Sequence, residues 1–171
     1  MKTDFSLRLE APEDAAAIHD LTERAFEPMA FSDGTEPGLP EALREAGALL
    51  LSLVAVSADG NLLGQVTFSP LTFEPETAQR WAGLGPIAVE PGFQKQGIGS
   101  ALVKEGLRRL KAQGFDGVGL IGNPLVYGPM GFISTGEQTY AGLEPKFVQI
   151  ISLSDEEPPA GEMVFHPSFG G

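Results

Sequence analysis

The stretch Val89-Glu90-Pro91-Gly92-Phe93-Gln94-Lys95-Gln96-Gly97-Ile98-Gly99-Ser100-Ala101 decides the fold, because it joins a strand-like segment to the clearest helical segment of the chain. Residues 81–89 are apolar, and residues 97–113 carry apolar side chains at helical spacing with charged side chains on the other face. Gly114 follows at the position where helices commonly end. We therefore predict a strand, a glycine-rich loop and a long helix in succession.

The loop contains the pattern Q-x-x-G-x-G between Gln94 and Gly99. Glycines let the main chain approach a bulky anion, and a helix start presents unpaired N–H groups at the positive end of its dipole. Lys95 adds a formal positive charge. The loop thus predicts a pyrophosphate site, while a tight turn without a ligand stays open as the alternative.

Two other nucleotide-binding loops fit this segment poorly. No G-K-[ST] follows the glycines, which excludes a P-loop. The pattern G-x-G-x-x-G is absent, and the preceding segments do not indicate a parallel βαβ unit, which disfavours a dinucleotide site.

The rest of the chain predicts an α/β (α+β) fold, a mixed sheet with helices on both faces. Alternation and turn residues predict the strands, and apolar spacing predicts the helices. The expected strands cover residues 4–10, 48–56, 61–71, 81–89 (interrupted by Gly83, Gly85 and Pro86), 115–121, 131–134 and 147–153, with a last strand open at 163–165. The first expected helix begins at residues 11–14 and ends at Pro28. The other expected helices cover residues 41–46, 97–113 and 123–130, and residues 31–40 are expected to form a loop.

Length and composition indicate one globular domain over residues 1–171, with residues 154–171 as a C-terminal extension or last strand. The chain has 11 basic and 23 acidic residues, a formal charge of −12. This charge repels nucleic acid and anionic membranes and attracts a cationic substrate such as an amine.

Several site classes are excluded by composition. There is no cysteine, so disulfides and thiolate chemistry are excluded, and with two histidines we expect no metal.

The first residues are not those of a signal peptide, and no apolar run approaches the length of a membrane span, so we expect a cytoplasmic protein.

Two motifs together resemble the GNAT superfamily of N-acetyltransferases. Residues 83–89 and the loop resemble the family's central acetyl-CoA motif, [RQ]-x-x-G-x-[GA], in its Gln variant. Residues 122–132 resemble its second motif, a Tyr followed after three residues by Gly-Phe, here Tyr127 and Gly131-Phe132, although the Asn-to-Tyr interval is shorter than in many members. The form G-[ND]-P-x-x-Y resembles a group of small bacterial predicted N-acetyltransferases, and the element order fits from about Phe5 to Leu153.

The resemblance implies a mostly antiparallel central sheet, splayed between two central strands, and acetyl transfer from acetyl-CoA to an amine by direct attack. The pyrophosphate would bind the backbone N–H groups of the loop, and the pantetheine arm would lie along the strand before it. A main-chain N–H there would polarise the thioester carbonyl, and Pro86 cannot be that donor. The implied cofactor-binding residues are Ile87, Ala88, Val89, Gln94, Lys95, Gln96, Gly97, Ile98, Gly99, Ser100, Asn123 and Tyr127.

Tyr127 is the catalytic residue that the resemblance implies. A phenol of ordinary pKa ~10 can protonate a thiolate leaving group of similar basicity. The alternative, an ordinary core aromatic that packs with Phe132, stays open.

No residue identifies itself as the base that deprotonates the amine. A water chain is an equal alternative, and each side chain considered is also typical of a solvated surface: Glu90, Glu74, Glu27 and His19. Asp33 and Glu36, in the loop where the family builds its acceptor site, are candidates to hold a cation, and Trp81 is a candidate for the pocket wall or, more simply, for the core.

Three functional alternatives follow. The first is an N-acetyltransferase acting on a small-molecule or peptide amine, with a homodimer left open. The second is a non-catalytic (acyl-)CoA-binding sensor or interaction module, which shares the loop but does not need Tyr127. The third is a different acyl donor or an O-acceptor, which the loop does not discriminate.

Overall fold

The computed structural model describes residues 4–26 and 38–167. Short 3-10 helices precede α1 (Pro12–Asp14), follow α4 (Gly128–Met130) and precede β7 (Pro145–Phe147). The strands and helices, in chain order, are β1 (Phe5–Leu9), α1 (Ala15–Phe26), α2 (Leu39–Glu45), β2 (Leu51–Ser57), β3 (Leu62–Glu74), β4 (Trp81–Val89), α3 (Ile98–Ala112), β5 (Gly117–Ile121), α4 (Pro124–Tyr127), β6 (Gln138–Thr139), β7 (Val148–Ser152) and β8 (Gly161–Phe165).

The contacts between residues divide the chain into two units. Unit 1 consists of Met1–Phe68 and Gly85–Gly106, and unit 2 consists of Ser69–Leu84 and Leu107–Gly171. Strands β3 and β4 and helix α3 contribute residues to both units.

Unit 1 contains an antiparallel arrangement of β1, β2 and the first half of β3. The turn between β2 and β3 is closed by a hydrogen bond from Gly60 N to Ser57 O (2.9 Å). Gly60 has a φ of 87°, which favours glycine. Asp59 and Gly60 therefore lie in the turn of a hairpin formed by β2 and β3, where Asp-Gly pairs are common.

In unit 1, a register shift lies between the residues of β3 that face α1 and those that face α3. The β2–β3 register shifts between Ala55 and Val56, so that Ala55 pairs with Gly64 and Val56 pairs with Leu62. Leu62 packs in a cluster with α1, whereas Gly64 faces Ile98 of α3, whose Cγ2 would lie 2.9 Å from an added Cβ. The bulge thus turns adjacent parts of β3 toward different helices.

Unit 2 contains mixed strand pairing. β4 and β5 are parallel, while β5–β7 and β3–β8 are antiparallel and β6–β8 is parallel. The parallel β4–β5 pairing runs from Trp81 opposite Gly117 to Gly83 opposite Gly119. The predicted mixed, mostly antiparallel sheet with helices is confirmed.

The core of unit 2 explains why β5 alternates glycine with large apolar residues. Trp81 is buried and packs edge-on against Phe73 with ring centroids 5.4 Å apart. A Cβ at Gly117 would collide with the Trp81 ring, and one at Gly119 would lie 2.7 Å from Met163 Cε. The glycines of β5 therefore make room for large side chains, and Trp81 is a core residue.

Most predicted elements are confirmed to within a few residues, but one expected strand is absent, one helix begins earlier than expected and one strand was not predicted. Residues 131–134 do not form a strand: only Ile133 bridges to Ile150, because Gly131 ends the preceding turn at a φ of 106°. Helix α2 begins at Leu39, inside the predicted loop, and the described part of that loop is otherwise Gly38 alone. Strand β6 was not predicted, since two residues carry no alternation.

Candidate active site

The glycine-rich loop in unit 1 is held by its own backbone and by β3. Glu90 N donates to Leu63 O (2.8 Å), and Phe93 N donates to Glu90 O (2.9 Å). Gln94 Nε2 donates back to Val89 O (3.2 Å). These bonds fix a compact turn directly after β4.

The backbone of this loop repeatedly adopts left-handed conformations. The φ angles are 93° at Gly92, 64° at Lys95 and 89° at Gly97. Alternation between left- and right-handed residues turns successive N–H groups toward one side, which is the geometry of an anion-binding concavity. Gln94, Lys95 and Gly97 are exposed, so this concavity is open to solvent.

The first turn of α3 is anchored beneath the loop. Ile98 is 1% exposed, which fixes the start of the helix. A Cβ added to Gly99 would lie 3.6 Å from Val89 Cγ2 and 3.7 Å from Ile87 Cδ1, so Gly99 allows close packing of α3 on β4. The first N–H groups of a helix have no partner within it, and Gln94–Ser100 therefore suits a phosphate group.

The stretch of β4 before the loop has one buried and two partly buried side chains. Ala88 is 2% exposed and packs with Leu21 and Ala25 of α1. Ile87 and Val89 are half-buried and lie toward Gly99. The strand is thus fixed by α1 on one face and by α3 on the other.

In unit 2, Asn123 builds the short helix α4. Its Oδ1 accepts from Leu125 N (2.9 Å), and its backbone O accepts from Val126 N (3.0 Å) and Tyr127 N (3.1 Å). Gly122, just before it, donates to Phe147 O (3.0 Å). One asparagine side chain therefore caps the turn that carries Tyr127.

The Tyr127 ring rests on a glycine and a phenylalanine. A Cβ at Gly122 would lie 2.6 Å from Tyr127 Cε2, and the Phe132 ring meets Tyr127 edge-on with centroids 6.0 Å apart. Burial raises the pKa of the Tyr127 hydroxyl above its ordinary value, so the group stays protonated at neutral pH. No hydrogen-bond partner of this hydroxyl is found within residues 4–26 and 38–167. The Tyr127 side chain is half-buried and its ring contacts Phe132, and its hydroxyl carries the proton that a general acid needs.

The base candidates lie in different settings. Glu90 forms a bidentate ion pair with Arg24, so both of its carboxylate oxygens already accept a hydrogen bond. His19 Nδ1 lies 3.5 Å from Glu41 Oε1, and this nitrogen has no hydrogen-bond partner in the described part of the chain. Glu74 lies at the end of β3, opposite Glu162. Glu27, Asp33 and Glu36 lie outside the described residues.

A buried polar group on β2 and β3 was missed by the sequence analysis. Gln65 Nε2 donates to Ser52 Oγ (2.9 Å) and to Thr67 Oγ1 (2.7 Å), and all three residues are buried. Gln65 Oε1 has no partner among the described residues. The signal was present, since polar residues alternate at 65, 67 and 69 within an otherwise apolar strand.

Arg24 was also missed. It is paired with a residue 66 positions away, and no spacing rule connects the two.

The described ranges contain neither a metal-ligand cluster nor a helix that could span a membrane. No group of three or more potential metal ligands is found there. No helix of these ranges has both the length and the apolar character needed to cross a bilayer.

Comparisons with known proteins identify the family. The sequence model of the acetyltransferase (GNAT) family matches residues 15–124, which includes the loop and ends three residues before Tyr127. The chain is 40% identical over 126 residues to YhbS of Escherichia coli K12, named an uncharacterized N-acetyltransferase, covering 74% of this chain and 72% of YhbS.

Two solved structures are similar over nearly the whole chain. A GNAT family acetyltransferase from Brucella melitensis in complex with acetyl-CoA has a TM-score of 0.84 at 37% identity, covering 98% of this chain and 99% of that one. E. coli YhbS in complex with CoA has a TM-score of 0.89 at 33% identity, covering 100% and 94%. The chain belongs to the GNAT family of acetyltransferases.

Proposed function

We propose that this protein transfers the acetyl group of acetyl-CoA to a primary amine. The observation that carries the proposal is the loop of unit 1, with its left-handed turns and open helix start, in a chain whose relatives have been solved with acetyl-CoA and with CoA. The residues proposed to bind the cofactor are Ile87, Ala88, Val89, Gln94, Lys95, Gln96, Gly97, Ile98, Gly99, Ser100, Asn123 and Tyr127.

In this proposal the loop binds the pyrophosphate through backbone N–H groups, assisted by Lys95. Main-chain groups of Ile87–Val89 pair with the pantetheine arm as an added strand would. One of these N–H groups stabilises the negative charge that develops on the thioester oxygen. Pro86 has no N–H and takes no part in that stabilisation.

The chemical step is a direct acyl transfer. The neutral amine attacks the thioester carbonyl carbon, a C–N bond forms, and the C–S bond breaks. The leaving thiolate takes the Tyr127 proton, which solvent then restores, and the amine loses its own proton to a base or to water. Before the attack, the acceptor must also lose one proton from its ammonium form, whose reference pKa is ~10.4. The base that takes this proton is unassigned.

The acceptor is a small-molecule or peptide amine. The formal charge of −12 favours a cationic acceptor over a nucleic acid or an anionic membrane. We further propose a cytoplasmic location, one catalytic domain over residues 1–171, with 154–171 contributing β8, and leave the homodimer as a hypothesis for sedimentation analysis.

Calorimetric titration with CoA, NAD and ATP tests the cofactor. We expect CoA to bind, and NAD and ATP to bind more weakly or not at all, because neither of their loop patterns occurs here. Tighter binding of NAD or ATP than of CoA contradicts the proposal.

A thiol-release screen with acetyl-CoA tests the reaction. Pools of aminoglycosides, polyamines, amino acids and peptides supply the amines, and one pool should release CoA in proportion to acetylated amine. CoA binding without turnover in any pool favours the non-catalytic module, and turnover with an alcohol identifies an O-acceptor.

A further inference from the structure

Glu90 places a negative charge at the first position of the loop proposed to bind an anion. Like charges repel, and the repulsion is only partly screened near a protein surface. A carboxylate here opposes pyrophosphate binding unless another group compensates its charge. This reasoning rests on the proposed function of the loop.

Arg24, on the last turn of α1, compensates that charge. Its Nε lies 2.9 Å from Glu90 Oε1, and its Nη2 lies 2.7 Å from Oε2, so both carboxylate oxygens accept a hydrogen bond. The Glu90 side chain is 22% exposed, which weakens the competition from water. The hydrogen bond to Glu90 raises the pKa of Arg24 above its ordinary value. Two parallel bonds fix orientation as well as charge.

The same pair connects α1 to the loop. Glu90 N and O are both bonded, to Leu63 and Phe93, so its backbone has little freedom. With the side chain held by Arg24 as well, the turn that begins the loop is fixed at three points. Because such a loop is already ordered, less conformational entropy is lost when the ligand binds to it.

The pocket around the pair has little other compensation for Glu90, because Lys95, which the proposal assigns to the pyrophosphate, is not among its lining residues. Arg24 and Glu90 line a pocket of about 610 Å³ in unit 1, together with the carboxylates Asp20 and Asp59. Among the described residues of this lining, Arg24 is the only basic one. Removal of Arg24 leaves three carboxylates on the pocket lining, Asp20, Asp59 and Glu90, without a cation among its described residues.

We propose that Arg24 is a positioning residue for coenzyme A, which neutralises the Glu90 carboxylate and so allows the loop to accept the pyrophosphate. It acts through Glu90 rather than by touching the ligand.

The test is calorimetric titration with coenzyme A of four proteins: the parent, Arg24→Ala, Glu90→Gln and the double variant. We expect Arg24→Ala to weaken binding about tenfold, the scale of one charge interaction at a protein surface. Glu90→Gln removes the charge that opposes the ligand, so the double variant should return to within about threefold of the parent. A merely structural loss of the ion pair would not be rescued by this second substitution.

A matched control exists in the same unit. Arg44 and Glu10 form a bidentate pair of similar geometry, with Nε–Oε2 at 2.8 Å and Nη2–Oε1 at 3.0 Å. Glu10 follows β1, which is separated from β3 by β2, and Arg44 lies on α2. Arg44→Ala therefore breaks an equivalent pair and should leave coenzyme A binding unchanged. Thermal melting of each variant shows that the folded fraction is the same in all titrations.

The outcomes separate cleanly. If the parent binds coenzyme A and Arg24→Ala binds it equally well, the inference is wrong and the proposed function stands. If the double variant stays as weak as Arg24→Ala, the uncompensated charge of Glu90 is not the cause of the loss, whether Arg24 contacts the phosphate or the ion pair is merely structural, and the inference is also wrong. If the parent does not bind coenzyme A, the proposed function fails and takes the inference with it.

Discussion

The loop of unit 1 and the α4 segment of unit 2 are built on opposite principles. The loop uses main-chain groups, because its conformation comes from glycines and a helix start rather than from one side chain. The α4 segment presents a single hydroxyl, Tyr127, on four helical residues capped by Asn123. A site made of backbone is disturbed by added side chains, whereas a site made of one hydroxyl is destroyed by removing one oxygen.

This difference predicts that the two regions fail in separable ways. Changes in the loop should weaken cofactor binding, and changes at Tyr127 should slow the chemical step. The variants below break or sharpen that division, beginning with the largest expected effect.

Tyr127→Phe removes the proton donor while the ring keeps its contacts with Gly122 and Phe132. We expect kcat to fall by about 10²–10⁴-fold, the usual size of general acid catalysis, and the Kd for CoA to change little. Turnover with the amine found by thiol release, together with calorimetry, measures both quantities. A donor with a better leaving group than a thiolate should reduce the effect, and parent-like turnover of Tyr127→Phe would exclude the acid role.

Gly99→Val perturbs the loop through the packing of α3 on β4. The side chain at 99 would extend toward Ile87 and Val89, displacing the first turn of α3 from β4 rather than blocking the ligand directly. We expect CoA binding to weaken by about 1–3 kcal/mol, or about 5- to 150-fold, with kcat at saturation nearly unchanged.

Gly99→Ala is the matched control for that variant. Its Cβ would sit at ordinary contact distances, 3.6 Å and 3.7 Å, so it should bind CoA almost as the parent does. If alanine and valine weaken binding equally, or if neither does, packing of α3 on β4 does not set the loop.

Asn123→Ala removes the cap of α4. Loss of such a cap costs about 0.5–2 kcal/mol, and in a four-residue helix the disturbance reaches Tyr127 directly. We expect a severalfold loss of kcat with little change in the Kd for CoA. Asn123→Asp keeps the oxygen that accepts from Leu125 N and should keep most of the activity; equal losses in both variants would show that the amide has another role.

The pH dependence of kcat gives the smallest effect. Burial raises the pKa of Tyr127, so its acid form persists through neutral pH and is lost only above the ordinary tyrosine value of ~10. No fall in kcat assigned to Tyr127 is expected between about pH 7 and pH 9. A fall in that range that is present in the parent and absent in Tyr127→Phe would show a lowered pKa instead.

The sequence was most informative where the proposed site is made of backbone. Glycine positions, helix periodicity and the Asp-Gly turn each report local geometry, so β4, the loop and α3 could be predicted nearly to the residue. The Tyr127 segment required a resemblance, because a tyrosine next to apolar residues is equally typical of a core.

What the sequence could not predict depends on contacts between distant residues. The Arg24–Glu90 pair joins positions 66 apart, and the Gln65 cluster depends on β2 lying opposite β3. The strand expected at 131–134 was wrong because its apolar residues follow a left-handed Gly131, and only Ile133 reaches a partner. Local patterns determine elements, whereas tertiary contacts select which side chains become partners.

The crystal structure of this protein with acetyl-CoA tests the central claim most directly. The account predicts the pyrophosphate on the backbone N–H groups of Gln94–Ser100 and the thioester sulfur within hydrogen-bonding distance of the Tyr127 hydroxyl. A pyrophosphate bound away from this loop, or a sulfur out of reach of Tyr127 in a complex that turns over, would contradict it.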